Sequence, residues 1–549
     1  MAAITIRGFL KLKLRATDIP ELQAWMDRKI DMTSHQIQNE MLEMIGQTIV
    51  REIASRVQQA GSFAVMVDGT QDVSRKEQMS VCVRYVDKEL YPHEHFIGLC
   101  LYEPPGTTGE ILAKCVLDVL LRLQLPISAL RGQTYDGASN MSGQYKGCQA
   151  LICEKQPLAL FVHCGAHCTN LVSQTVSEAV VIVRDAMASL QELWALFSQS
   201  IKCRTAFTKI TESDLVSGKC QQIRPLCPTR WLVRVAAIQA LVNQYRQVLE
   251  CLEEMSAASS GPSVSARASG LLAQLSKGVT LLAFNMALKV FGILEVLNRS
   301  LQSRYQTVSG MLAAVADCTC NLLALRDDQV FDEMLSATNV IITDLDMIEI
   351  ELPRQRRPPK RLTGDAPAHQ YTTVSDYYRP VFFSLVDTAV QQLKERFSDS
   401  PGLNKYRALE DVLLSGTVDE NVLAAYSEIN TEDLHLQMQL FRRKRTVKSV
   451  GEAADILRKM VPEVRGEFEE VEKLLRLLIV SPASSAEPER SFSALRRLKT
   501  WMRSTMSQTR LNAVAVCHVH QDILDAIDIA ALVKLFVSRN DTRLYMFGD

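Results

Sequence analysis

The chain has 549 residues, 47% hydrophobic and 22% charged, with 61 basic and 62 acidic side chains and a net charge of −1. That length suits roughly three or four domains, or one large domain carrying an insertion, and the charge balance excludes a uniformly basic nucleic-acid module, leaving DNA contact to local patches. Fourteen scattered cysteines with no CxxC pair exclude a disulfide framework and suit a reducing compartment, the cytosol or nucleus, and no uncharged apolar run reaches the about 18 residues of a spanning helix, which argues against a membrane.

Residues 1–60 hold a helix-leaning run, QIQNEMLEMIGQTIVREIASRVQQAG, closed by glycine. FAVMVDG, MSVCVRYVD and ELYPHEHFIGLC then read as successive strands, rich in β-branched and aromatic residues and separated by polar turns. GEILAKCVLDVLLRLQ repeats apolar residues at helical spacing. LRGQTYDGAS predicts a fourth strand, YKGCQALICEKQ a helix, and ALFVHCGAHCTNLVSQ a fifth strand running into a helix. Three strands, helix, strand, helix, strand is an α/β order that implies a mixed sheet with flanking helices. From about residue 205 to about 475 the strand signals fade and helix follows helix. LPRQRRPPKRLTGDAPAHQYTTV, about 352–374, interrupts them as an exposed linker whose Arg354, Arg356, Arg357, Lys360 and Arg361 either touch phosphates or are solvated.

Three carboxylates stand out. Asp68 ends an apolar run (FAVMVDGT), Asp136 ends another (LRGQTYDGASN), and Glu489 opens a helix some 350 residues later (SSAEPERSFSALRRL). Singly, each has an ordinary explanation: Asp-Gly is a common turn pair, and a glutamate after Pro488 is a normal helix start. Together they are the donor set of metal-assisted phosphoryl transfer. Glu487 rivals Glu489, but Pro488 is expected at the first helical position, leaving Glu489 inside the helix. At 100° per residue Phe492, Leu495, Leu498 and Met502 form an apolar stripe bordered by Glu489, Arg496 and Arg503. Arg496, Arg497, Lys499 and Arg503 suit either a phosphate backbone or a solvated face. His163, Cys164, His167 and Cys168 in HCGAHC carry ligand-type side chains, but neighbours at a strand end point apart, and no second Cys/His pair supplies a finger.

Five ordered blocks, VDGTQDVSRKEQMSVCVRYVD, YDGASNMSGQYKGCQALI, HCGAHCTNLV, CPTRW and SPASSAEPERSFSALRRLKTWMRSTMSQTRL, carry a resemblance over about residues 15–535. The chain resembles the hAT superfamily of DNA transposases and their domesticated descendants, in the branch of zinc-finger MYM-type and repressor-of-inhibitor-of-protein-kinase-like proteins. The resemblance implies an RNase H-like mixed sheet interrupted by an all-α insertion. Its boundaries would be an N-terminal helical segment (1–60), the DUF4371-like first part of the core (61–204), the insertion (205–475), and a C-terminal part (476–549) that completes the core and dimerises. It implies a DDE triad of Asp68, Asp136 and Glu489 holding Mg²⁺ or Mn²⁺ for DNA cleavage and strand transfer, with Glu489 matching the family's ERxFS pattern.

Cys164 and His167 match its CxxH motif beside the active site, and Arg230-Trp231 its RW, whose Trp stabilises a flipped base; with Arg496 and Arg503 these four are the implied nucleic-acid contacts. The implied partners are DNA and a second copy of the chain in a homodimer or higher oligomer, in the nucleus and also the cytoplasm. Active members usually carry an N-terminal zinc finger; this chain opens almost directly on the catalytic region, so strong recognition of transposon ends is not expected. Two readings stay open: a transposase-type enzyme, and a domesticated, catalytically silent, dimerising nuclear regulator. An ordinary RNase H-type nuclease is a third, against which the helical insertion and CPTRW speak.

Overall fold

The computed structural model describes residues 34–101, 107–213, 234–257, 262–353, 371–397, 401–443 and 445–547. Helix α1 (His35–Ala60) starts where the Ser34 hydroxyl accepts the Ile37 N–H at 3.3 Å and stops at Gly61, whose φ of 80° only glycine adopts without strain. Then come β1 (Phe63–Gln71), β2 (Glu77–Val86), β3 (Pro92–Leu101), α2 (Gly109–Arg122), β4 (Leu130–Tyr135), α3 (Cys148–Lys155), β5 (Leu160–His163) and α4 (Gly165–Ala179). The strands form one sheet in the order β3-β2-β1-β4-β5, antiparallel on the β3-β2-β1 side and parallel from β1 through β4 to β5. This is the mixed, helix-flanked sheet that the order of strands and helices implies, in the RNase H-like form that the resemblance implies.

Two expected boundaries move. β1 continues past Asp68 to Gln71, because its pairing with β2 runs on to Gln71 opposite Glu77. β3 begins at Pro92 rather than Glu89, because the Asp87 carboxylate accepts the N–H groups of Glu89 and Tyr91 at 2.9 Å each and closes a turn.

Further helices belong to the insertion and to the returning C-terminal part: α5 (Val181–Gln199), α6 (Gly278–Leu301), α7 (Val308–Ala324), α8 (Val374–Arg396), α9 (Glu469–Val480), α10 (Ala486–Leu498), α11 (Gln508–Val519) and α12 (Ile529–Ser538). They divide between the two faces of the sheet. Leu474, Leu478 and Ile479 of α9 join Ala64, Leu160 and Val162 in a core shared with the insertion. Phe492 and Leu495 of α10 and Leu511 and Val516 of α11 join Ile49, Val65, Val67 and Val81 on the other face. The first and last parts of the chain therefore build one sheet-centred core.

By length and mean hydropathy α6 could cross a membrane, the one such unbroken helix among the described residues, although Lys289, Glu295 and Arg299 interrupt it and leave no long uncharged run. Its apolar side chains, Leu281, Phe284, Val290, Phe291 and Leu294 among them, are buried against α4, α5 and α7, which is how the central helix of a soluble bundle reads.

Where α11 ends on β3, aromatic and imidazole rings stack in a row. Tyr85, His93 and His95 have centroids 5.3–6.2 Å apart, and His520 leans on His95 at 5.4 Å while bonding the Phe96 carbonyl at 2.7 Å. Burial, reinforced by the charges of His520, His93 and Arg56, pushes His95 down to about 3. An imidazole whose folded pKa lies below its ordinary value of about 6.5 binds protons more weakly than in the unfolded chain. The resulting stability is complete above about pH 6.5 and declines as pH falls toward 3. Below pH 6.5 the melting temperature of the wild type should therefore fall relative to that of His95→Gln, the gap between them narrowing or reversing as pH drops; parallel pH profiles for the two proteins would overturn this.

Candidate functional site

β1 and β4 run side by side with Met66 opposite Thr134, so Asp68, still within β1, and Asp136, just past β4, come two residues further on, where the pairing of the two strands ends. Asp68 accepts the Gly69 N–H at 2.8 Å, and Asp136 the Ala138 N–H at 3.3 Å. Burial and then the charge of Asp136 push the Asp68 carboxyl up to about 7, against the pull of the Gly69 N–H. Glu489 on α10 is pushed up to about 9 by burial and by both aspartates, Arg496 opposing. Each of the three carboxylates thus lies within electrostatic reach of the others. Like charges repel at such range, and among the described residues no three His, Cys, Asp or Glu side chains already stand in coordinating array.

What holds Glu489 there begins one turn earlier. α10 starts at Ala486 rather than Pro488, with Pro488 third in the helix, where a missing N–H breaks no helical bond. Glu487 is therefore inside the first turn, and it is only 3% exposed. Arg304 binds it through two bonds of 2.9 and 2.7 Å, and Arg490 adds a third at 2.7 Å. Arg490 also donates to the Gln302 carbonyl. Glu487 is thus occupied in tying α10 to the loop between α6 and α7, while Glu489 faces the aspartates. Glu487→Gln should lower stability by about 1–3 kcal/mol, the range for a charge-assisted bond, read by denaturant unfolding; an unchanged midpoint would show the clamp to be idle.

The loop is fixed in turn by Arg84 in the middle of β2. Arg84 is 1% exposed, pairs with Glu94 at 2.6 Å, and donates to the carbonyls of Ile479, Arg304 and Gln306 at 3.1, 2.9 and 3.0 Å. On the parallel side, the Thr134 hydroxyl donates to the Pro482 carbonyl at 2.8 Å, and the Gly165 N–H to Ala483 at 2.9 Å. A Cβ on Gly165 would lie 2.6 Å from Met311 Sδ and 3.2 Å from the Ala483 carbonyl, so the approach requires glycine.

The HCGAHC segment splits by depth. Cys164 is fully buried; its sulfur accepts the N–H groups of His167 and Ser485 at 3.4 and 3.2 Å, and burial, then the charge of Glu489, push its thiol up to about 12. This corrects its expected contact with nucleic acid: Cys164 is an internal joint between α4 and the segment leading to α10. His163 and His167 surround Gly137, where a Cβ would be 3.8 Å from either ring, and Asp136 acts electrostatically on both.

α10 ends at Leu498, so the apolar stripe stops there. Met502 and Arg503 fall on a separate 3₁₀ turn, Trp501–Arg503, and Arg503 does not border the stripe. Arg496 stays on α10, exposed, close enough to Glu489 to act on it. Lys499 is on neither a solvated face nor a phosphate-facing one: it is buried, 2.6 Å from Asp72. Burial alone would push Asp72 up, but Lys499 and the N–H groups of Lys76 and Ser74 hold it below the usual range. Arg230, Trp231 and the basic cluster 354–361 lie outside the described residues.

Residues 21–147 match the ZMYM1/FAM200, RNase-like domain, and residues 432–523 match the hAT family C-terminal dimerisation region. The human and mouse proteins named 52 kDa repressor of the inhibitor of the protein kinase are each 24% identical, over 531 and 527 residues, covering 92% of this chain and 68% of each relative. The matched regions are the two parts that the sheet joins, so the chain holds a ZMYM1/FAM200 RNase-like domain and a hAT C-terminal dimerisation region.

Proposed function

We propose that the end of the sheet between β1 and β4 is a divalent-metal site for DNA strand cleavage and transfer. The observation that carries this reading is the crowding of Asp68, Asp136 and Glu489, whose mutual repulsion, added to burial, raises Asp68 to about 7 and Glu489 to about 9. Such a set fits a hard dication: carboxylate oxygens are the ligands that Mg²⁺ and Mn²⁺ prefer, and a cation between them would relieve the repulsion. Asp68, Asp136 and Glu489 would hold the metal, which when bound activates the attacking oxygen and stabilises the leaving one. The protein's own part is positional. β1 and β4 fix the two aspartates, and the Glu487–Arg304–Arg490 clamp fixes the helix that carries Glu489. His163 and His167 border the site beside Asp136.

DNA is the proposed substrate, and the C-terminal region would join two copies in the nucleus, as expected of transposase-derived proteins. The second reading, a catalytically silent dimerising regulator, draws support from the relatives, whose name describes a repressor. Incubation with branched or hairpin-ended DNA and Mg²⁺ or Mn²⁺ decides between them. Metal-dependent nicking supports the enzyme; intact substrate at every metal concentration leaves the regulator.

A further inference from the structure

The turn that follows α10 carries a surface the carboxylates do not use. Trp501 is 83% exposed and Met502 87%, both within the turn Trp501–Arg503. The turn is nonetheless anchored, since the neighbouring Lys499 is paired with Asp72 at 2.6 Å and the Ser504 carbonyl accepts the Ser74 hydroxyl at 2.8 Å. Both partners, Asp72 and Ser74, belong to the tip of the β1–β2 hairpin, which adds half-exposed Val73 and the exposed Arg75 and Lys76. Arg496 and Arg497 are exposed on the last turns of α10, and Arg503 is half-buried in the turn itself. Of the two acids beside these cations, Asp72 is paired with Lys499 and Glu77 accepts a hydrogen bond from Gln71. An indole and a thioether are thus displayed among basic side chains, in a chain whose net charge is only −1.

The position bears on the site. Gln71, where β1 gives way to this hairpin tip, lies three residues past Asp68, about 10 Å along a strand. We propose that this surface binds single-stranded nucleic acid, with an unpaired base stacked on Trp501 and phosphates held by Arg75, Arg497 and Arg503. Bases of any sequence stack on an indole, and guanidinium groups gain by displacing counterions from phosphates. The turn lies within the stretch that matches the hAT dimerisation region, but a second copy meeting this patch on itself across a two-fold axis would set cations against cations, so a dimer would use other parts of that region. The proposal rests on the cleavage reading for why a strand would lie there, although binding itself needs neither metal nor intact carboxylates.

Anisotropy of a fluorescein-labelled oligothymidylate, titrated with full-length protein in EDTA, tests it. Wild type should bind with an affinity that falls as salt rises. Trp501→Ala should weaken binding about tenfold while Trp501→Phe stays near wild type, and a blunt duplex should be bound equally by all three. Because Trp501 is exposed, the variants should melt like wild type, which excludes misfolding as the cause. The proposal fails if the oligonucleotide does not bind, if Trp501→Ala binds it as wild type does, or if light scattering shows that Trp501→Ala dissociates an oligomer. Loss of nicking with this binding intact would overturn the cleavage reading alone.

Discussion

Asp68→Asn is expected to abolish metal-dependent strand cleavage, by about a thousandfold or more, because positioned charge on the metal is nearly all that phosphoryl transfer asks of a protein. The same substitution removes one of the charges that raise Glu489, so a second, non-catalytic readout follows. In wild type, carboxyls with folded pKa values of about 7 and about 9 ionise later than in the unfolded chain, where about 4 is usual. Their contribution to stability is therefore greatest at low pH and is lost as pH rises from about 4 through 7 and 9. A dication restores it, so the melting-temperature increment from Mn²⁺ should grow with pH across that window. Asp68→Asn and Glu489→Gln should each diminish the increment. Glu487→Gln should lower the melting temperature at every metal concentration and keep the increment, since that carboxylate is occupied by arginines. An increment that is flat with pH, or lost only in Glu487→Gln, would sink the proposed site.

The largest loss of stability is expected from Arg84→Ala, about 3–5 kcal/mol, the cost of stranding one partner of a buried ion pair. Glu94 would stay buried, its side chain 6% exposed, without the guanidinium, and the carbonyls of Ile479, Arg304 and Gln306 would lose their donor. Burial already raises the Glu94 carboxyl despite Arg84, so it would protonate more readily still once alone. Arg84→Met with Glu94→Leu should recover part of the loss, because an apolar pair of similar volume leaves no buried charge. Denaturant unfolding of the wild type, Arg84→Ala and the double variant measures both effects. A loss below about 1 kcal/mol in Arg84→Ala would show that water reaches the pair.

The sheet was legible because its strands are short, β-branched and bounded by turn residues, and because helical periodicity in α2 and α3 separates them. The carboxylates were singled out through the blocks around them, and the engagement of Glu487 by arginines leaves Glu489 as the glutamate within electrostatic reach of the aspartates. Pro488, however, does not separate the two glutamates as expected. A proline commonly heads a helix, but the first helical N–H groups are all without an internal partner, so Pro488 fits the third position equally well. Long-range pairing was not legible. Arg84 in MSVCVRYV and Lys499 after LRRL look like surface cations, and only the fold brings Glu94 or Asp72 to them. Cys164 looked like a site residue because periodicity does not report depth at a strand end.

Arg84 and Ile479 are joined by one hydrogen bond across 395 residues of chain, and Ser74 and Ser504 across 430. Contacts so distant in sequence form late. At a synthesis rate of about 5–20 residues per second, β2 would wait about 20–80 s for α9 to be made. Throughout that interval the hydrophobic face that α9 covers is unfinished, and until Arg304 and Gln306 are made Arg84 has only Glu94 as a partner. Exposed apolar surface of that kind is aggregation-prone, so the yield of folded protein should depend on chaperones more than the stability of the finished fold would suggest.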